Sequence, residues 1–221
     1  MTLTKWLFLA LTAMLLAGCG RPRISILGDS YSTFRGWIPS ANADYYPAPP
    51  GNDVRTVEQC WWSIVIASIG GCLEKNESSS GSTICNTGYN GVDCSNSSFL
   101  ARVDRLGNPT LILVCGATND CWANSPIGDF QWAEWTDRDL RFFRPALARL
   151  LFELENRYPK ARVFFILNSD LSLDINDSVH RICSHYEVPC IDLHDIDKQC
   201  DHPSIKGMAE IAEQVVKAVR R

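Results

Sequence analysis

Ile24-Ser25-Ile26-Leu27-Gly28-Asp29-Ser30-Tyr31-Ser32 is the stretch on which the reading of this chain turns. Residues alternating between apolar and polar run into a glycine, an acid and a serine, the pattern of a short buried strand ending at a tight turn. In an open parallel sheet the ligand crevice lies beyond the carboxyl ends of the strands, so Ser30 stands where such a crevice would form. A Gly-Asp-Ser triplet is also ordinary turn chemistry, with glycine free to take positive φ and Asp and Ser bonding nearby backbone. The partners further along the chain decide between the two.

Toward the N-terminus, Lys5 precedes an apolar run from Trp6 to Leu16 that is short for a membrane span. It ends in Leu16-Ala17-Gly18-Cys19, which resembles the lipobox of bacterial lipoproteins. That resemblance implies a lipoprotein signal peptide over 1–18, acylation of Cys19, a lipidated N-terminus and short linker over 19–22, and one domain over 23–221. The domain would face outward from a membrane of the bacterial cell envelope, held by lipid rather than by a spanning helix. An ordinary signal peptide that happens to end near a cysteine is the alternative.

About 200 residues then remain, enough for one α/β domain with a real core. The 25 acidic and 21 basic side chains give a net charge of −4, which argues against nucleic acid as a partner and against a polybasic membrane patch. Of ten cysteines, setting aside Cys19 leaves nine, an odd number in a chain bound for a compartment that permits disulfides. At least one thiol should stay free, and Cys115, inside the apolar run 111–115, is the candidate. No paired Cys-x-x-Cys units occur, so no metal site is expected.

Along the chain, 34–56 is a long irregular segment carrying Trp37, Tyr45 and Tyr46, and 59–69 reads as a buried helix ending at Gly70-Gly71. A short strand follows over 73–77, then a polar turn over 77–82 and an Asn- and Gly-rich loop over 83–93 that includes Gly91. A helix is expected over 97–106, with Phe99, Val103 and Leu106 on one face, and the clearest central strand over 110–115. A second loop, 121–136, holds Trp122, Trp132 and Trp135. Helices at 137–158 (capped by Asp137, bent or restarted at Pro145), 175–186 and 207–221 alternate with strands at 161–167 and 188–193. Such alternation means a parallel sheet with helices on both faces.

A serine hydroxyl needs a base before it becomes a useful nucleophile, and histidine has the pKa for it. Of the four histidines, His180 and His185 fall in a helix and His194 ends a strand, while His202 stands in a loop before the last helix with Pro203 beside it. Gly28-Asp29-Ser30, Gly91, Asn119-Asp120 and His202-Pro203, in this order and at these strand ends, resemble the four blocks of the SGNH, or GDSL, hydrolases. The resemblance spans nearly all of 23–221. It implies a flavodoxin-like three-layer α/β/α fold with a parallel sheet of about five strands, no cofactor, and ester hydrolysis through a serine acyl-enzyme. By position, Ser30 would be the nucleophile and His202 the base. The N–H groups of Ser30 and Gly91 and the amide of Asn119 would form an oxyanion hole.

Two positions depart from that pattern. Ala117 stands where the third block has glycine, with Gly116 one place early, and Gln199 stands where an acid three residues before the histidine is expected. Among Asp195, Asp197 and Asp201, Asp197 is the expected orienting acid, since a lengthened loop would still bring it to the ring. A dyad aided by a backbone carbonyl is the alternative. Asp29 and Asp120 are expected to bond loop backbone. The aromatics of the two long loops are either a sugar-stacking rim or packing. Cys121 and Cys200 should meet at the same rim, as a disulfide or as two thiols. The substrate expected is an ester, an O-acetyl group on a carbohydrate, because the loops carry aromatics and no long apolar lid is evident. Within the fold the rivals are a lipase or thioesterase and an inactive carbohydrate-binding lipoprotein.

Overall fold

The strands Arg23–Gly28 (β1), Cys72–Asn76 (β2), Leu111–Gly116 (β3), Arg162–Leu167 (β4) and Cys190–Asp192 (β5) pair side by side in the order β2-β1-β3-β4-β5, every pair parallel. The structure is a computed structural model that describes residues 20–47 and 51–221. The expected signal peptide and the lipidation of Cys19 lie outside the described residues.

Side chains alternate across a strand, so each central strand feeds two cores. Leu27, Ile112, Val114, Phe165 and Leu167 point to one face, where Phe143–Arg157 (α3) and Leu173–His185 (α4) cover them. Ile24, Ile26, Leu111, Leu113, Phe164, Ile166 and Ile191 point to the other, under Trp61–Ser68 (α1) and Ile205–Val219 (α5). A one-turn helix, Thr118–Trp122 (α2), follows β3 directly. The near-continuous apolar strands seen in the sequence are those of a sheet buried on both sides. The order is the flavodoxin-like one, in which the direction of winding reverses between β1 and β3. Residues just past these two strands, Ser30 and Asn119, therefore share the crevice at the switch point.

Three elements differ from expectation. The segment expected as a helix over 97–106 is a tighter 3₁₀ run, Leu100–Arg105, though Phe99, Val103 and Leu106 are buried as the spacing predicts. The helix expected from 137 begins only at Phe143, because Asp139 accepts from Thr136 N at 2.8 Å and closes a separate turn before Phe142, which is extended. Pro145 is then in the first helical turn, where its missing N–H has no partner to lose, so the helix restarts next to it, the second of the two alternatives, rather than bending at it. Finally, Lys198–Gln199 (β6) and His202–Pro203 (β7) form a small antiparallel hairpin in what reads as loop.

Candidate active site

At the end of β1, Asp29 Oδ1 accepts from Tyr31 N at 3.0 Å and caps a single 3₁₀ turn, Ser30–Ser32. The turn aims the Ser30 hydroxyl back over the sheet. Gly28 is required beneath it: a Cβ there would stand 2.6 Å from Ser32 Oγ and 2.8 Å from Ser78 Oγ. Ser30 Oγ lies 2.9 Å from His202 Nε2.

His202 owes its position to the β6–β7 hairpin. Cys200 (φ 50°) and Asp201 (φ 61°) are both left-handed, the geometry of a two-residue turn whose twist suits antiparallel strands. The turn directs the Cys200 carbonyl to His202 Nδ1 at 3.0 Å. A carbonyl can only accept, so Nδ1 carries the proton and Nε2 is left as the acceptor for the Ser30 hydroxyl. Buried side chains hold the hairpin: Tyr31 Oη donates to Asp201 O at 2.7 Å, and Tyr46 Oη and Asn52 Nδ2 donate to Pro203 O at 2.9 and 3.1 Å. The imidazole is flanked by aromatic rings, with Tyr45 stacked on it and Trp122 edge-on at 6.0 Å. Burial lowers the pKa of His202, and the bond to Cys200 O offsets part of that shift.

Asp197, expected to orient this ring, is placed elsewhere. Its carboxylate accepts from Ser204 Oγ, and its backbone accepts from Ser204 N at 3.1 Å and donates to Glu210 at 2.8 Å. Unsatisfied donors at the start of α5 capture it. Gly207 lets it sit there, since a Cβ at that position would come within 2.0 Å of Asp197 O. The ring is oriented by peptide rather than by carboxylate, the alternative that the sequence left open.

On the other side of Ser30, β3 ends in Gly116-Ala117. A Cβ on Gly116 would stand 2.7 Å from the Phe99 ring, so the glycine serves packing, and Ala117 itself takes the left-handed conformation (φ 76°) that brings α2 into line. Asn119 on that turn accepts at its oxygen from Tyr89 Oη at 2.8 Å. Its Nδ2 gives one hydrogen to Ser82 O at 3.1 Å and retains a second. Tyr89 thereby fixes which way the amide faces.

Gly91, expected to give an oxyanion donor, does not offer one: its N–H is bonded to Gly88 O at 3.0 Å within a 3₁₀ turn. The glycine that does offer one is Gly81, in the run Ser78-Ser79-Ser80-Gly81-Ser82 just after β2. It has φ +75° and, among the described residues, its N–H has no acceptor, as is also true of Ser30 N–H. The missed signal was position, because Gly81 follows a strand's carboxyl end just as Ser30 and Asn119 do. The loop is tied to the end of β1 by Ser79 N to Gly28 O at 3.1 Å and Asn76 Nδ2 to Ser32 O at 2.9 Å. Buried Arg102 completes the tie with donors to Gly28 O at 3.2 Å, to Glu77 O and to Ser82 Oγ.

Beneath the site, Asp120 accepts from Ile84 N and Cys85 N, so both acids bond loop backbone as expected. Desolvation raises Asp29 to about 7 and Asp120 to about 6. The loop aromatics divide. Tyr45 and Trp122 reach His202, whereas Tyr46 is buried, Trp37 faces Trp62 at 6.1 Å, Trp132 stacks on His185 at 4.0 Å and Trp135 packs near Phe152. The nine cysteines of the described residues carry free thiols, Cys115 among them, so Cys121 and Cys200 are not joined.

A hydroxyl bonded to an oriented imidazole, with unspent N–H donors alongside at the switch point of a parallel sheet, defines an α/β ester hydrolase. The chain belongs to the GDSL-like lipase/acylhydrolase family, whose model matches residues 22–219. Its structure resembles those of candidate GDSL-like lipases from Bacteroides ovatus (50% identity, TM-score 0.89, covering 91% of this chain and 99% of that one) and Bacteroides uniformis (50%, 0.90, 91% and 97%). More distantly, it shares the fold of an acetyl xylan esterase from Butyrivibrio proteoclasticus (16%, 0.58, 90% and 63%). No curated protein sequence matches the chain.

Proposed function

We propose that the protein removes O-acetyl groups from carbohydrate by way of an acyl-enzyme on Ser30. The observation that carries the mechanism is the relay Ser30 Oγ, His202 Nε2, His202 Nδ1, Cys200 O, with spans of 2.9 and 3.0 Å. As Oγ attacks the ester carbonyl, its proton passes to Nε2. The tetrahedral oxyanion is met by the N–H groups of Ser30 and Gly81 and the remaining N–H of Asn119, fixed donors worth about 3–4 kcal/mol each. His202 then gives the proton to the sugar oxygen as its bond to the acyl carbon breaks, and water, activated by the same ring, releases acetate.

The substrate class rests on the rim. Tyr89 and Trp122 are exposed on either side of the site, 40% and 39%, and such flat amphipathic rings suit the face of a sugar. The acetyl xylan esterase of shared fold supports the same reading. The deciding measurement is a p-nitrophenyl ester series from acetate to palmitate beside acetylated polysaccharides. Acetate and polysaccharide turnover with loss beyond butyrate is expected. A preference for palmitate would replace this substrate class with lipids. Ser30→Ala should abolish turnover with the fold intact.

We also propose that acylation of Cys19 anchors this domain to the cell envelope. Among the described residues no helix is long and apolar enough to cross a membrane. Cys19→Ser should move the protein from the detergent phase to the aqueous phase, and continued detergent partitioning would overturn the anchor.

A further inference from the structure

Away from Ser30, α4 and the edge strand β5 face each other with four chemistry-bearing side chains. His180 and Cys183 are three apart on the helix and so lie on one face, and Cys190 and Asp192 are two apart on the strand and so lie on one face. Ile191 between them points the other way, into the core under α5. One ligand atom from each of His180, Cys190 and Asp192 lies within 4.8 Å of the others. His180 Nε2 is 2.6 Å from Asp192 Oδ1, and Cys190 Sγ is 4.0 Å from that oxygen. Cys183 is buried beside Cys190, and its thiol does not lie within 4.8 Å of all three.

An exposed His–Asp pair alone is ordinary and contributes about 0–1 kcal/mol. It leaves unexplained the Cys190 thiol drawn to the pair, with the Cys183 thiol next to Cys190. Ligands around a tetrahedral zinc stand about 3.3–3.8 Å apart, given metal–ligand bonds of 2.0–2.3 Å. The 2.6 and 4.0 Å separations bracket that range, so small rotamer changes suffice for these three, and Cys183 joins them by a larger one.

We propose that His180, Cys183, Cys190 and Asp192 form a zinc site that clamps α4 to the three-residue strand β5. Two sulfurs, one imidazole nitrogen and one carboxylate oxygen suit zinc and disfavour magnesium and calcium, which take oxygen. On binding, each cysteine releases its thiol proton to solvent, His180 ligates as the neutral ring through Nε2, and Asp192 ligates as the carboxylate. Paired Cys-x-x-Cys units do not occur in the chain. Here the ligands come as His-x-x-Cys on a helix and Cys-x-Asp on a strand, a pairing that only the α/β packing makes visible.

The test uses the purified full chain, reduced, stripped with a chelator and titrated with Co²⁺. One equivalent should give thiolate-to-cobalt charge transfer and the d–d absorption of a tetrahedral site, and Zn²⁺ should displace it. Cys190→Ser and His180→Ala should weaken Zn²⁺ binding by more than the roughly 10–100-fold that loss of an outer partner costs. His180 and Asp192 are 48% and 62% exposed, so His180→Ala and Asp192→Asn fold even where Cys190→Ser does not, and Ser30-dependent ester hydrolysis stays unchanged in them. Absence of the charge-transfer band in the wild type overturns the site, as does an affinity equal in wild type and variants. A Cys183–Cys190 disulfide in the unreduced, metal-free protein overturns it equally.

Discussion

The phenol of Tyr45 lies flat on the imidazole of His202, with ring centroids 3.6 Å apart and planes 8° from parallel. This contact falls where no carboxylate reaches the ring. The face of an aromatic ring attracts a cation by about 0.5–2 kcal/mol, so Tyr45 stabilises the imidazolium that forms as Ser30 attacks. Tyr45→Leu should therefore lower kcat and shift the acid limb of kcat/KM about 0.4–1.5 units lower. Tyr45→Phe, which keeps the π face, should match the wild type. A steric role alone would lower kcat in the leucine variant without moving the limb.

Because the Cys200 carbonyl orients His202, Asp197→Asn should reduce turnover by less than about tenfold, far from the 10⁴ that loss of an orienting aspartate costs. Its effect should appear in stability, about 1 kcal/mol, because the carboxylate receives Ser204 Oγ at the start of α5. His202→Ala should be severe. Steady-state rates and denaturant melts of the two variants separate the outcomes, and a large turnover loss in Asp197→Asn would restore the acid.

Asn119→Ala should cost about 10²–10³ in kcat with little change in KM, as expected for a donor used only in the transition state. Tyr89→Phe removes the hydroxyl that holds the Asn119 carbonyl, so a smaller loss, about tenfold or less, should follow from a mispositioned amide. Gly91→Ala should leave kcat alone, since the Gly91 N–H is already bonded to Gly88. Kinetics on one activated acetate ester compare all three.

Two pH dependences follow from burial. His202 is shifted below its ordinary value, so as pH falls kcat/KM should hold to a point below about 6.5 before the base is protonated. Stability runs the other way. Asp29, at about 7 in the folded protein, keeps a proton that the unfolded chain gives up near 3.8, so stability should fall as pH rises through that window and level off above it. Asp120, at about 6, adds to the same trend. Asp29→Asn retains an acceptor for Tyr31 N and should flatten the curve, gaining most at pH 8. Urea unfolding at pH 4.5 and pH 8 reads this directly.

Order along the chain was enough for the frame. Apolar runs at 24–27 and 111–115, helical spacing between strands, and a glycine or polar residue at each strand end specify a parallel sheet whose carboxyl ends carry Ser30 and Asn119. These signals are local, because strand and helix periods are written in consecutive residues and the winding rule does the rest. The ring partner of His202 was not legible in this way. Whether Asp197 or a peptide carbonyl reaches Nδ1 depends on two left-handed residues, Cys200 and Asp201, which nothing in their side chains announces, and on α5 taking Asp197 for its own first turn. Gly91 and Gly81 look alike in sequence, each a glycine in a polar loop. Only the packing of the loop after β2 against Gly28 and Arg102 leaves one N–H unspent while a 3₁₀ turn consumes the other. Hydrogen bonds are satisfied by whichever partner the assembled chain brings nearest, and that choice belongs to the tertiary structure.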